Sequence, residues 1–167
     1  MEQNQNPPAK PRMPFWTAVK TCFKKYFDFK GRARRSEYWW FVLFQTIIYL
    51  ALVLISTLLF KVNLDSLASN NVVFLSLAGV ETLFFAIPTY AAQTRRLHDS
   101  GHSGWWIVAS LVVSVICSTA NSLWSIDMVL FKILAFVNVV IGFFVLLFTI
   151  QDSQVDENKY GPSPKYQ

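Results

Sequence analysis

An all-α, polytopic membrane protein is the fold class this sequence predicts: four transmembrane helices with an N-terminal amphipathic interfacial helix. Three observations predict it. Apolar residues make up 53% of the 167-residue chain and gather into four long blocks nearly free of charge. Each block is about 20 residues or slightly longer, enough to cross a hydrocarbon core of roughly 30 Å at about 1.5 Å per residue. The charges fall between the blocks, most of them in every second connection, as in a chain that threads a bilayer.

The opening residues 1–13, MEQNQNPPAKPRM, are polar and proline-rich and are expected to be disordered. From Pro14 the pattern changes. Phe15, Trp16, Val19, Cys22, Phe23, Tyr26 and Phe27 recur at helical spacing, with Lys20, Lys24 and Lys25 on the opposite side. This is a basic amphipathic helix with aromatic anchors, suited to the headgroup layer of an anionic leaflet. A soluble helix packed on a protein core would show the same pattern; the apolar block that follows favours the membrane surface. That block begins only near Tyr38 and is too long for the apolar region of a signal peptide, so it reads as a retained anchor.

The expected spans are roughly 39–60, 72–92, 105–124 and 127–150. None alternates apolar with polar residues for long, which argues against transmembrane strands. Nine Lys/Arg precede the first span, and Arg95, Arg96, Lys159 and Lys165 fall on the same side, against Lys61 on the other. That asymmetry predicts that both termini and the loop at 93–104 are cytoplasmic. One four-helix membrane domain is expected over 14–164, with 151–167 as its cytoplasmic tail. The basic segment lies directly before an apolar block, so it points to a membrane face and not to nucleic acid. Cys22 and Cys117 should lie at different depths and stay reduced, with no metal-ligand spacing.

The loop "RRLHDSGHSGWW" enters the third span through Trp105 and Trp106, as "RRSEYWW" enters the first through Trp39 and Trp40. These four tryptophans are expected in the interfacial aromatic belt. The parallel between the two entrances is a faint sign of repeated helical hairpins. If the bundle closes, Arg32, Arg34, Arg35, Glu37, Arg95, Arg96, His98, Asp99, His102, Asn158 and Tyr160 meet at one rim. Arginine forks hold phosphate bidentately. An anionic lipid headgroup would then contact Arg34, Arg35, Arg95, Arg96 and His98, with Glu37 and Asp99 orienting the arginines. Gly101 and Gly104 could add backbone N–H groups at a helix N-terminus. The structural alternative is that Arg–Asp and Arg–Glu pairs staple the helix ends together.

No catalytic or metal site is assigned. His98 and His102 stand four residues apart, but Gly101 interrupts the helix they would need, and no third strong ligand lies nearby. Ser100 to His102 reads "SGH", as in lipid-phosphate phosphatases, yet no His or Arg follows His102 to complete that machinery. A serine hydrolase lacks its nucleophile elbow. No cofactor is expected.

Within the membrane, Glu81 lies near the middle of the second span, and Tyr49, Ser114 and Asn138 fall at similar depth in the others. A charged carboxyl there costs roughly 2.5–3.5 kcal/mol, so Glu81 should be protonated or partnered. Asn138 or Tyr49 could supply a hydrogen bond, and Lys132 a charge. A proton or cation relay competes with simple interhelical hydrogen bonding, and no chain of acids marks a path. Pro88 is expected to kink this helix.

Three stretches carry a resemblance: "YFDFKGRARRSEYWWF", "RRLHDSGHSGWW" and "DENKYGPSP". Together they resemble the signatures of the domain of unknown function 805 family of bacterial inner-membrane proteins, over roughly residues 20–164. The resemblance implies a four-helix bundle in the bacterial cytoplasmic membrane and no established activity. Glu81 is not part of that pattern, so no role for it follows. The expected function is a small non-enzymatic scaffold or interaction protein whose basic rim binds anionic lipid, a protein partner or a second copy. The alternative is a small transporter or channel subunit built around Glu81. A membrane enzyme acting on lipid phosphate comes third.

Overall fold

The computed structural model describes residues 7–60, 72–123 and 128–166. The connections expected at 61–71 and at Ser125 to Asp127 lie outside the described residues. The described residues form five helices in order: α1 Phe15–Lys24, α2 Arg35–Phe60, α3 Val72–Asp99, α4 Trp105–Leu123 and α5 Met128–Ile150. Among the described residues there is no strand, only an isolated bridge between Asn158 and Gly161.

Among the described residues two helices are long and apolar enough to cross a membrane, α2 over Arg35–Leu58 and α5 over Val129–Ile150. Only 11% of each apolar stretch is buried within the molecule. A core helix of a soluble protein would bury most of such a stretch, because exposed apolar area of this size is costly in water. The apolar part of α4, Trp105–Thr119, is shorter. Helix α3 is interrupted chemically by Glu81 and Pro88 and does not end at residue 92. It continues through the expected loop to Asp99, because nothing in "QTRRLHD" breaks a helix before Gly101 and its arginines find partners inside the protein.

The chain forms two compact units. One comprises residues 12–28 and 36–92. In it, α1 lays Ala18, Val19 and Cys22 inward, and Cys22 packs with Tyr38, Phe41, Phe85 and Ala92. The Phe23 ring lies 5.5 Å from Phe41, 5.9 Å from Phe85 and 6.2 Å from Phe44, a cluster of edge-to-face and tilted contacts. Each such pair adds roughly 0.5–1.5 kcal/mol beyond area burial. Trp16 and Phe27 remain on the outside.

The other unit comprises residues up to 11, 29–35 and 93 onward. Here α4 packs on α5, and Asn138 sits between them. Its amide N–H donates to Ser114 Oγ at 2.9 Å, and its carbonyl oxygen accepts from Ser110 Oγ at 3.3 Å. Trp106 at the start of α4 meets Phe148 near the end of α5 at 5.7 Å.

Candidate functional site: a buried arginine–aspartate clasp

The end of α3 explains why "RRLHDSGHSGWW" has its composition. A helix leaves its last carbonyls unpaired. Gly101, at φ +84°, turns the chain into the left-handed region that glycine favours. His102 N–H then donates to Leu97 O at 2.8 Å and Gly101 N–H to His98 O at 3.1 Å, the paired bonds of a Schellman ending. Gly104 is fixed by space, since a Cβ there would lie 2.7 Å from Thr94 Cγ2. Ser103 Oγ accepts from Trp105 N–H, so α4 starts almost where α3 stops.

Asp99, the last residue of α3, carries no exposed surface. Its Oδ1 accepts from Arg32 Nε at 3.0 Å, while Oδ2 accepts from Arg96 Nη1 and from Ser153 Oγ, the latter at 2.5 Å. Both arginines are buried as well. Arg32 also donates to the carbonyls of Asp156, Gly161, Asp99 and Gln154, so each of its five N–H groups has an acceptor within 3.4 Å. Arg96 donates to Thr149 O at 3.0 Å, Ala33 O at 3.4 Å and Gln151 O. Burial pulls the Arg96 guanidinium below its ordinary range, and the neighbouring Asp99 opposes this.

Two cations on one carboxylate would be an expensive burial without further partners. The ring of carbonyls supplies them, and the negative end of the α3 dipole favours cations at the same place. The clasp thereby joins three segments far apart in sequence: 31–35, the end of α3, and the tail from Thr149 to Gly161. Backbone bonds reinforce it, from Ala33 N–H to Arg95 O at 2.9 Å and from Gln154 N–H to Asp99 O at 3.1 Å. The tail's "NKYG" closes a tight turn, and Asn158 Nδ2 donates to His98 O at 3.0 Å.

Each histidine is held flat against an aromatic ring. His98 stacks on Tyr160 at 3.7 Å, with Nδ1 3.1 Å from Gly31 O. His102 stacks on Phe148 at 3.6 Å, with Nδ1 3.3 Å from Ser100 Oγ. Since Gly31 O can only accept, His98 carries its proton on Nδ1. Burial lowers the pKa of both rings, outweighing the hydrogen bonds that raise them. Among the described residues no three His, Cys, Asp or Glu are grouped as metal ligands.

A second cluster lies on the surface of the same unit. Arg35 and Lys165 both pair with Asp152, at 3.1 and 2.6 Å. Arg34 donates to the carbonyls of Lys10 and Pro11 at 2.8 Å each, and Lys10 N–H donates to Lys165 O. Burial would raise the Asp152 carboxyl, but Lys165, the Ser153 N–H and Arg35 hold it below its ordinary value.

Of the residues singled out from sequence, Arg96, His98 and Asp99 are thus brought together with Arg32, all turned inward. Arg95 is buried beside them in the chain, without exposed surface. Arg34 and Arg35 belong to the surface cluster. Glu37, in the other unit, is buried, and its carbonyl accepts from the Cys22 thiol at 3.9 Å. Trp105 is largely exposed, while Trp39, Trp40 and Trp106 are each a little over one-third exposed. Tyr49 is exposed and Glu81 half-buried; among the described residues Glu81 makes no ion pair or side-chain hydrogen bond. Ser114 and Asn138 bond to each other. Sequence reasoning placed Arg32 at the rim without a role in it, and missed Ser153 and the tail carbonyls. Only the abrupt polar run "QDSQ" after the last apolar block hinted at them.

The family described as Protein of unknown function (DUF805) matches residues 26–162. The inner membrane protein YhaH of Escherichia coli (strain K12) is 30% identical over 142 residues, 85% of this chain and 91% of that protein. The inner membrane protein YhaI of the same strain is 28% identical over 147 residues, 87% of this chain and 93% of its own. No solved structure matches the chain.

Proposed function

The chain belongs to the DUF805 family of proteins of unknown function, and from that premise we propose that it is a multi-pass protein of the bacterial inner membrane. In this reading α2, the part of α3 up to residue 92, α4 and α5 are four spans, both termini are cytoplasmic, and α1 lies in the headgroup layer. The protein is a non-enzymatic scaffold, and anionic lipid headgroups are its ligands. What supports the location is the lipid-ready surface of α2 and α5 and the printed names of the relatives.

One observation carries the ligand: Arg35 and Lys165 share the carboxylate of Asp152, and bonds to backbone carbonyls bring Arg34 and Lys10 beside them. Lys10 and Arg35 are exposed and Arg34 and Lys165 half-buried, and such an excess of cations at a membrane surface attracts anionic lipid by about 1 kcal/mol per Lys or Arg. Arg96, by contrast, is enclosed, so the contact is assigned to Arg34 and Arg35 and the arginines of the clasp hold the scaffold.

Native mass spectrometry of the purified protein tests this. The wild type should retain anionic phospholipid. Arg34→Ala/Arg35→Ala should lose it while melting at nearly the same temperature. Equal retention in both proteins would sink the assignment.

A second reading rests on Glu81, an acid in an apolar helix with no ion pair among the described residues. Under it the protein conducts protons or cations as part of an oligomer. Flux into proteoliposomes that disappears in Glu81→Gln would favour this reading.

A further inference from the structure

Pro88 lies inside α3 and has no N–H. The carbonyl four residues earlier, that of Phe84, therefore loses its helical donor. In a lipid environment such a carbonyl is costly to leave open. It is not left open: the Tyr26 hydroxyl, just beyond the end of α1, donates to Phe84 O at 2.6 Å. One residue further along, Phe85 O accepts from Thr89 Oγ1 at 2.6 Å, and Thr89 Oγ1 in turn accepts from Gln45 Nε2 of α2 at 2.5 Å. The carbonyl that the proline leaves open is thus capped by Tyr26 from beyond the end of α1, and Gln45 of α2 reaches the neighbouring Thr89 hydroxyl.

The geometry points to a strap: Tyr26 is the replacement donor for the amide that Pro88 lacks, and this bond holds α1 down on α3. The rest of the region fits that role. Tyr26 packs its ring against Phe84 at 6.2 Å, while Phe27 beside it is exposed. Beneath α1, the Cys22 thiol is fully buried on the face that packs with Phe41 and Phe85. Release of the strap lets α1 lift at its C-terminal end and uncovers Cys22. The surface helix and the break in α3 are thereby one conformational unit: α1 senses the state of the α3 break, and a change at the break frees α1.

Cys22 reports directly on this motion. The chain has two cysteines, so Cys117→Ala leaves one thiol to follow. In native membranes, the rate of Cys22 alkylation by a permeable maleimide is measured for four proteins in that background: the parent, Tyr26→Phe, Pro88→Ala, and both together. Tyr26→Phe should speed alkylation about fivefold or more, the effect of leaving one acceptor unpaired in a lipid environment. With Pro88→Ala, the residue 88 amide returns to Phe84 O, and Tyr26→Phe should then change the rate less than about twofold. Pro88→Val restores the same amide with a side chain of similar size and repeats the comparison if the alanine variant fails to accumulate. Equal acceleration in proline and non-proline backgrounds would mean that the hydroxyl holds α1 independently of the proline gap, which overturns its role as the replacement donor. No acceleration in either would remove the strap altogether.

Discussion

Asp99 and Glu81 sit on the same helix, and the protein treats them in opposite ways. Around Asp99 it gathers two arginines and a serine hydroxyl in full burial. Glu81 stands half-buried on an apolar stretch, with no ion pair or side-chain hydrogen bond among the described residues. The contrast separates an acid that organises the fold from one that no described side chain pairs with. A carboxylate in the first setting is structural, because removing it strands its cations. In the second setting it can change with little loss of structure among the described residues.

The largest expected effect breaks the comparison if it fails. Asp99→Ala leaves Arg32 and Arg96 buried without their counter-charge and should cost about 3–5 kcal/mol, read as a collapse of the melting transition in detergent. Glu81→Ala, in the same assay, should move stability by less than about 0.5 kcal/mol. Similar losses in the two variants would erase the distinction. Arg32→Lys comes next. It keeps the charge but replaces a planar five-donor fork by a three-donor ammonium, and it should cost about 2 kcal/mol in chemical denaturation.

Gly101→Ala should cost about 1–2 kcal/mol, since φ is +84° and the added Cβ would run into the Gln154 amide. The smallest effect is a pH dependence. Burial lowers the pKa of His98 and His102 from 6.5, so the folded state holds them neutral where the unfolded chain takes up protons. Stability is complete above that value and declines as pH falls below it toward the folded pKa. His98→Gln should flatten part of the decline in melting temperature between about pH 7 and pH 5.

The helices were legible because an apolar block of spanning length is a one-dimensional signal. Block edges predicted the start of α4 and the end of α5 at Trp105 and Ile150. The end of α3 was misplaced because charge was taken to mean loop. Arg95 and Arg96 read as rim cations, whereas the helix buries both, and Arg96 meets carbonyls from a tail more than fifty residues away. Pairing of that kind depends on backbone oxygens, which every residue has, so no residue type announces it. Gly101 was legible as a helix stop, since its chemistry is local. Ser153 was not, because its one distinguishing contact, with Asp99, is created by the fold.

Hydrogen–deuterium exchange across the tail tests the central claim most directly, with wild type beside Asp99→Asn. The clasp predicts that amides of Gln154, Asn158 and Gly161 are protected in the wild type. In the variant, that protection should fall together with protection at Ala33 and His102. Tail amides that exchange freely in the wild type, or that stay protected when Asp99 is neutralised, would contradict a clasp centred on this carboxylate.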